Sequence, residues 1–153
     1  MTAASPDSSP MSHHCPQRAE KFPPMIFCAA GGLSDMNIAT DRSKYVIEVE
    51  RLPGGESAST FYGHDHGAQV SFFLSHHRPG RGPELHRHPY EETFIVQDGD
   101  VRFTVGDETI DATGGDIVVV PAETPHKFVN SGTTALRQIN IHPVARMKTE
   151  WLD

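Results

Sequence analysis

The sequence predicts an all-β fold, an antiparallel barrel or jelly roll, on three observations. No segment shows a sustained helical period of apolar residues. Roughly nine short strand-like runs follow one another between residues 45 and 142, as in all-β barrels and sandwiches. Glycine, proline, asparagine and aspartate separate these runs and favour tight turns.

The composition bounds the size of the fold and its partners. The 153 residues suffice for one domain with a substantial core. Lysine and arginine number 13 and aspartate and glutamate 20, which gives a net charge of −7. An acidic chain without a basic run argues against nucleic acid or an anionic membrane surface as a partner. The sequence has no apolar run of transmembrane length and no secretory signal pattern, so we expect a cytoplasmic protein.

Three segments are predicted along the chain. Residues 1–24 are rich in serine, proline and alanine and are expected to be a disordered tail. Residues 25–44 begin with a short apolar run, and we expect them to form an edge or dimerisation segment. Residues 45–153 are expected to form a single barrel domain. Residues 25–44 could pair with a second copy at a sheet edge, which gives the homodimer that we expect, or cover the edge of their own sheet in a monomer.

The predicted strands mostly alternate apolar and polar side chains, which is typical of strands with one buried face. In chain order they cover residues 45–50, 57–62, 69–75, 93–97, 100–105, 108–112, 116–120, 126–130 and 136–142. Residues 45–50 are predicted to be a half-buried strand. Residues 116–120 are almost continuously apolar, which predicts burial on both faces. Asp98 and Gly99 stand between two strands and favour a two-residue hairpin.

Two histidines, His86 and His88, lie on a short extended stretch just before a proline. Successive side chains of a strand alternate faces, so both rings project to the same side. Glu92 opens the next strand and shares a face with Phe94, and an inward carboxylate is costly unless it is paired or binds a metal. His126 opens a later strand in the same way. These four polar residues are the candidate metal ligands.

The spacing of the candidate ligands resembles the two motifs of the cupin family. The first motif matches Gly80, His86, His88, Glu92 and Gly99. The second motif matches Gly115, Pro121, His126 and Asn130. The family pattern has a glycine two residues after the proline, where this sequence has Glu123. If that position requires a positive φ angle, Glu123 is mildly strained.

The resemblance implies a small antiparallel barrel that binds one divalent metal ion through His86, His88, Glu92 and His126. Such a ligand set leaves two positions of an octahedral ion open for water, dioxygen or a bidentate substrate. Imidazole and carboxylate ligands without a thiolate suit Fe(II), Mn(II), Ni(II), Co(II) or Zn(II). The ligand types do not choose among these metals.

The expected function is that of a metal-dependent enzyme acting on a small molecule. A dioxygenase-type oxidoreductase is the first hypothesis, since Fe(II) could bind a chelating substrate and dioxygen at adjacent positions. The second is an isomerase or lyase, in which the metal polarises a carbonyl and a neighbouring residue moves the proton. The third is a non-catalytic module that binds or senses a small ligand. The sequence identifies neither the substrate nor a catalytic residue beyond the metal ligands.

Candidate pocket residues follow from strand parity. Gln138, Asn140 and His142 share one face of the last long strand, which points either into the barrel or to solvent. Tyr90 lies in the turn between the ligand strands, either at the cavity mouth or packed on the loop. Two aromatic residues on the ligand-bearing faces complete the set, Phe94 and Phe128.

Other histidines and arginines receive a plainer interpretation. His64 and His66 form a second pair, but no carboxylate follows at strand spacing, so we interpret them as a solvated turn. Residues 13–15, two histidines and a cysteine, are interpreted as an incidental cluster in the tail. Arg78 and Arg81 could meet an anionic substrate, but solvated loop charges are the simpler interpretation.

Overall fold

The computed structural model describes residues 42–152. Residues 1–41 and residue 153 lie outside the described part, and with them the predicted tail and most of the predicted dimerisation segment. The described residues form two antiparallel sheets, one of six strands and one of five, so the predicted fold class is confirmed. No helix within this part of the chain is long and apolar enough to cross a membrane.

Eleven strands, numbered in chain order, make up the sheets of the described residues. They are β1 (Gly54–Gly55), β2 (Ala58–Phe61), β3 (Ser71–His77), β4 (His86–Arg87), β5 (Glu92–Asp98), β6 (Asp100–Val105), β7 (Glu108–Thr113), β8 (Ile117–Val120), β9 (His126–Asn130), β10 (Leu136–His142) and β11 (Glu150–Trp151). Short 3-10 turns cover Arg42–Lys44, Val49–Arg51 and Gly63–Asp65. The first sheet has the order β1-β2-β3-β10-β5-β8 and the second β11-β4-β9-β6-β7. The motif residues therefore come from both sheets.

The two sheets pack face to face around an apolar core. Phe94 of β5 points from the first sheet, and Val101, Phe103 and Phe128 point from the second, and all four are buried. The rings of Phe94 and Phe103 lie 4.9 Å apart, edge to face. Burial of each such side chain contributes about 1.5–3 kcal/mol. The Phe94 ring also lies 6.1 Å from the ring of His126, so the core reaches the candidate ligands.

The hairpin predicted at Asp98 and Gly99 is wrong. Strand β5 pairs with β10 and β8, whereas β6 pairs with β7 and β9. The dipeptide is instead a corner that carries the chain from one sheet to the other. Gly99 has φ +91°, and a Cβ there would lie 3.1 Å from the Cα of Leu136. The sequence indicated a tight turn, but it did not indicate whether the two strands on either side of the turn pair with each other.

The prediction that residues 116–120 are buried on both faces is also wrong. Ile117 is 65% exposed and Val119 is 58% exposed, while Val120 is fully buried. Strand β8 lies at the edge of the six-stranded sheet and pairs only with β5. One face of β8 therefore points inward and the other points out of the sandwich.

Residues 45–50 do not form the predicted half-buried strand. Tyr45 is 74% exposed, and Val49–Arg51 is a 3-10 turn. The backbone N–H of Arg51 donates to the carbonyl oxygen of Glu48 at 3.0 Å, and their side chains form an ion pair at 2.7 Å. These local contacts favour a turn, which ends the extended stretch before it can pair with a sheet.

Glu123, which replaces the glycine of the second motif, has φ +60°. It is the one non-glycine residue of the described chain with a positive φ, so the expected strain at this position is present. Its backbone N–H donates to the carbonyl oxygen of His88 at 2.7 Å. This bond holds the turn against the ligand-bearing segment, although the conformation is unfavourable for a residue with a Cβ.

Replacing Glu123 by glycine is expected to stabilise the protein. Removing the Cβ relieves about 1–2 kcal/mol of left-handed strain, and the greater freedom of glycine in the unfolded chain offsets about 0.5–1 kcal/mol of it. The ion pair to Arg87, 3.8 Å long and exposed, contributes little. We expect a melting temperature about 2–4 °C higher by calorimetry. Glu123→Ala keeps the Cβ and is the matched control; an equal gain in that variant would contradict the strain argument.

Candidate metal centre

The four candidate ligands converge from three strands and one loop. His86 opens β4 and His126 opens β9, and the two residues are register partners in the second sheet. His88 follows β4 by one residue, and Glu92 is the first residue of β5 in the first sheet. All four side chains are buried. The fold therefore encloses three imidazoles and one carboxylate in the space between its sheets.

The donor atoms of these side chains point at one another. The Oε2 atom of Glu92 lies 2.9 Å from Nε2 of His126, 3.0 Å from Nε2 of His88 and 4.0 Å from Nε2 of His86. One donor atom from each residue lies within 4.8 Å of the others. A metal ion with bonds of about 2.0–2.2 Å to nitrogen and oxygen requires donors this close together.

Backbone carbonyl oxygens fix the orientation of all three imidazole rings. Each ring donates a hydrogen bond through Nδ1, His86 to Glu84 at 2.7 Å, His88 to Lys148 at 2.8 Å and His126 to Thr124 at 2.8 Å. A neutral imidazole with its proton on Nδ1 has a lone pair on Nε2. The lone pairs and the carboxylate oxygen repel each other at about 3 Å unless a cation or a proton lies between them. This donor set fits a divalent metal ion.

A comparison with known families agrees with this geometry. A family model described as a cupin domain matches residues 73–142. This part of the chain is a cupin domain. The domain has a buried histidine and glutamate site for a single divalent metal ion. A search of curated protein sequences found no match.

The cupin domain is also similar to solved structures of oxalate decarboxylase. A structure concerned with the Mn(II) centers of the Bacillus subtilis enzyme has a TM-score of 0.61 at 24% identity, and covers 67% of this chain and 30% of that chain. The same enzyme at pH 4.6 gives a TM-score of 0.60 with the same identity and coverage. At these identities the likeness shows the fold alone. This chain spans less than a third of the length of those proteins.

The site keeps Glu92 ionised even without a metal. Burial alone would raise the pKa of Glu92, but hydrogen bonds with His126 and His88 lower it to about 2. Burial also acts to lower the pKa of His88, but its bonds to Glu92 and to the Lys148 carbonyl outweigh this effect, so that pKa is raised. In the metal-free cupin domain a proton on Nε2 of His126 or His88 takes the place of the metal cation beside Glu92. The carboxylate is thus prepared to bind a metal over the physiological pH range.

A fifth polar side chain, His142 of β10, lies beside the ligands. Its Nε2 is 3.3 Å from Oε1 of Glu92, and its ring stands edge to face with that of His88 at 4.8 Å. Neither ring nitrogen has a hydrogen-bond partner among the described residues. Burial is the largest cause that lowers the pKa of His142 to about 4; the Glu92 carboxylate acts to raise this pKa, and the neighbouring imidazoles act to lower it. His142 is therefore a neutral imidazole near pH 7.

Acid is expected to destabilise the metal-free protein as the pH falls from about 6.5 to about 4. In this range the unfolded chain protonates His142 and the folded protein does not, because the folded pKa is about 4. The stabilisation is complete above pH 6.5 and decreases toward pH 4, by up to about 3 kcal/mol. Urea unfolding with EDTA at pH 7 and 4.5 measures this loss. His142→Leu should reduce it, whereas the exposed His76→Gln should not; equal losses in all three proteins would contradict the assignment.

A cavity of about 250 Å³ opens beside the ligands. Asn140, His142 and Phe128 line it, as do three ligands, His86, His88 and Glu92. Gln138 faces the same interior but lies fully buried, and neither of its amide atoms has a hydrogen-bond partner within residues 42–152. Phe94 belongs to the core. The polar face of β10 thus points into the barrel. Of the candidate pocket residues, Asn140, His142 and Phe128 contact the cavity.

Tyr90 belongs to the support of the site. Its ring stacks on His88 with the centroids 5.4 Å apart. Its hydroxyl accepts a hydrogen bond from the backbone N–H of Lys148 at 2.8 Å and donates to the carbonyl oxygen of the same residue at 3.2 Å. Tyr90 therefore links the turn that follows His88 to the backbone of Lys148 near the C-terminus.

One wall of the cavity consists of residues that were not predicted from the sequence. Phe73, Ser75 and His77 of β3 and Trp151 of β11 line it. The residues of β3 share one parity, opposite Phe72, but the apolar pattern favoured the other face. The small polar residues of that face are the available signal, since a strand beside a polar site need not present an apolar face inward.

The C-terminal segment contributes to the ligand geometry. Strand β11 pairs with β4, and Trp151 is the register partner of His86. The guanidinium of Arg87 donates to both carboxylate oxygens of Glu150 at 3.1 and 2.9 Å. The carbonyl of Lys148 accepts the hydrogen bond that orients His88. Residues far apart in sequence thus fix two metal ligands.

Other predicted features lie away from the centre. His64 and His66 are exposed at a 3-10 turn. Within residues 42–152, the ligand cluster is the one group of three or more His, Cys, Asp or Glu side chains that could hold a metal ion. Arg78 is exposed and lies 4.0 Å from Glu56. The cluster at residues 13–15 lies outside the described residues.

Proposed function

We propose that this protein is a metal-dependent enzyme acting on a small molecule, with a dioxygenase-type oxidoreductase as the first assignment. One observation carries the proposal: of a ligand set of three imidazoles and a carboxylate without a thiolate, His86, His88 and Glu92 line a mostly apolar cavity of about 250 Å³. Such ligands suit Fe(II) among other divalent metals. Buried ligands of this kind favour chemistry that water would otherwise intercept.

The side chains of the cavity have distinct roles in this proposal. When bound, Fe(II) supplies redox chemistry with dioxygen. Phe73 and Phe128 exclude water from the space beside the ligands, and the amide of Asn140 orients the oxygen atoms of the substrate. His142 accepts a substrate proton at Nε2, for which its neutral form is suited.

Oxygen consumption tests the assignment. The protein is reconstituted anaerobically with Fe(II), Mn(II) or Zn(II). It is then mixed, in aerated buffer, with a panel of small molecules that chelate metals through oxygen atoms. We expect oxygen uptake by the Fe(II) form but not by the Mn(II) or Zn(II) forms, and we expect His126→Ala to abolish it. Turnover without oxygen uptake by the Mn(II) or Zn(II) form would replace the assignment by the second candidate. Binding of these molecules without any turnover would indicate that the protein is a non-catalytic module that binds or senses a small ligand.

The second candidate is an isomerase or lyase, and the position of His142 favours it. A buried neutral imidazole 3.3 Å from Glu92 could move a proton between a carbon and an oxygen of a metal-bound carbonyl compound. The similar solved structures are decarboxylases, which is consistent with this candidate at the level of the fold. In this candidate His142→Leu abolishes turnover and leaves metal binding intact.

We also propose that the protein is a homodimer in the cytoplasm. The outer face of the first sheet is apolar, and an open groove of about 630 Å³ runs along it. Its residues include Phe72, Leu74, Ile139 and Ile141, and the exposed Ile117 and Val119 belong to the same sheet. A second copy with the same face would bury these side chains. Light scattering at micromolar concentration should give twice the mass of one chain; a monomer mass would rule the dimer out.

A further inference from the structure

The charge of the metal site is set by few groups. Glu92 is the only carboxylate that lines the cavity, and no lysine or arginine lines it within residues 42–152. A divalent ion bound to three neutral imidazoles and one carboxylate has a net charge of +1. A monoanionic ligand makes this buried site neutral. A dianion would leave an excess negative charge in a place with little water, which is unfavourable.

The nearest arginines do not change this balance. Arg78 and Arg81 line a separate surface depression next to the cavity. The Arg78 side chain is largely exposed and lies 4.0 Å from the carboxylate of Glu56, so its charge is solvated and partly compensated. Neither arginine lines the cavity that contains the ligands.

The walls of the cavity are polar on one side and apolar on the other. Asn140 and His142 line the cavity together with the ligands, and Oδ1 of Asn140 and both ring nitrogens of His142 lack hydrogen-bond partners among the described residues. Phe73, Phe128 and Trp151 provide aromatic surface. Buried polar atoms without partners are costly. The ring N–H of neutral His142 can donate to an oxygen atom of a ligand, whereas Oδ1 of Asn140 accepts only and needs an N–H or O–H. A ligand that meets His142 through oxygen must place the rest of its body against the apolar wall.

We propose that the cavity binds a small monoanionic ligand with two oxygen donors and an apolar body, such as an enolate of a dicarbonyl compound or a ring hydroxyketone. The proposal rests on the proposed metal-dependent function and specifies its substrate class. The volume of about 250 Å³ lies below the range of about 300–1000 Å³ for drug-sized ligands, so the ligand is small. Its two oxygens bind the metal on the side of His142, and its apolar body packs on the aromatic wall.

Tropolone and oxalate distinguish this class from dianionic chelators. Tropolone binds metals as a planar monoanion with two oxygens and an apolar ring, whereas oxalate is a dianion without an apolar body. The full chain is loaded with Zn(II), which is redox-inert, and each probe is titrated by calorimetry and by the fluorescence of Trp151, the single tryptophan. We expect the ratio of tropolone to oxalate affinity to be at least tenfold higher for the loaded protein than for Zn(II) in the same buffer.

Two neighbouring residues of β3 provide matched variants. Phe73→Leu alters the cavity wall, and we expect it to weaken tropolone binding about tenfold without changing oxalate binding. Phe72→Leu makes the same change on the outer face and should alter neither. A ratio equal to or below that of free Zn(II), no binding of tropolone to the loaded protein, or equal effects of Phe73→Leu on both probes would overturn the proposal.

The outcome is separable from the proposed catalytic function. Zinc-loaded protein binds the probes without turnover, so failure to consume oxygen in the Fe(II) form would remove the oxidoreductase assignment and leave this result intact. Conversely, a loaded protein that prefers oxalate would exclude the proposed ligand class, while metal-dependent catalysis on another substrate would remain.

Discussion

Replacing Glu92 by glutamine is expected to weaken the binding of the divalent metal by about 3–5 kcal/mol, a factor of about 100 to several thousand. Glu92 is the only anionic group of the ligand set, and its Oε2 atom faces all three Nε2 atoms. Glutamine keeps the shape and loses the charge. Its amide also places N–H donors near imidazoles whose Nδ1 protons already point to carbonyl oxygens.

Glu91→Gln is the matched control, because Glu91 is the exposed neighbour of Glu92. Metal affinity is measured by competition with a chromophoric chelator, and thermal unfolding is recorded with and without EDTA. The metal should stabilise wild type and Glu91→Gln by about 4 kcal/mol when its concentration is 1000 times the dissociation constant. Glu92→Gln should gain little at the same concentration. Equal metal-dependent stabilisation of both variants would mean that Glu92 is not a ligand.

Removing residues 147–153 is expected to lower metal affinity about 10- to 100-fold, the range found when groups that orient metal ligands are lost. The carbonyl of Lys148 accepts the Nδ1 hydrogen bond of His88 at 2.8 Å, and Trp151 pairs with His86. Without this segment the rings of two ligands lose their fixed orientation. The His88 imidazole and the Tyr90 hydroxyl would also turn to solvent.

A point variant separates the role of the C-terminal segment from general instability. Arg87→Met breaks the exposed ion pair to Glu150 but leaves the Lys148 carbonyl in place, so we expect less than about threefold loss of metal affinity. Arg102→Met breaks a similar exposed pair to Asp111, at 2.7 and 3.0 Å, far from the ligands. A truncated protein that folds by circular dichroism and binds metal as tightly as wild type would exclude the orienting role.

The sequence was informative where chemistry and spacing coincide. Imidazoles two residues apart, as His86 and His88 are, must share a face on an extended chain, and an inward Glu92 needs a cation. Glu123 shows the same logic for the backbone, because a residue in a glycine position of the motif has φ +60°. Each of these inferences depends on local geometry, which a few neighbouring residues determine.

The rest depends on which strands become neighbours, and local patterns do not specify this. Asp98 and Gly99 form a corner between sheets rather than a hairpin, because β5 pairs with the distant strands β8 and β10, whereas β6 pairs with β7 and β9. The apolar run 117–120 lies at a sheet edge for the same reason. Trp151 reaches the site through pairing with His86, which stands 65 residues earlier in the chain, a contact that sequence periodicity alone does not indicate.

Elemental mass spectrometry tests the central claim most directly. Untagged protein, purified without chelator, is compared with the double variant His86→Ala/Glu92→Ala. We predict close to one divalent metal ion per chain in the wild type and none in the variant, with iron favouring the oxygenase and manganese or zinc the isomerase or lyase. Wild-type protein that stays empty after reconstitution with each candidate metal, or a double variant that retains the metal, would contradict the account.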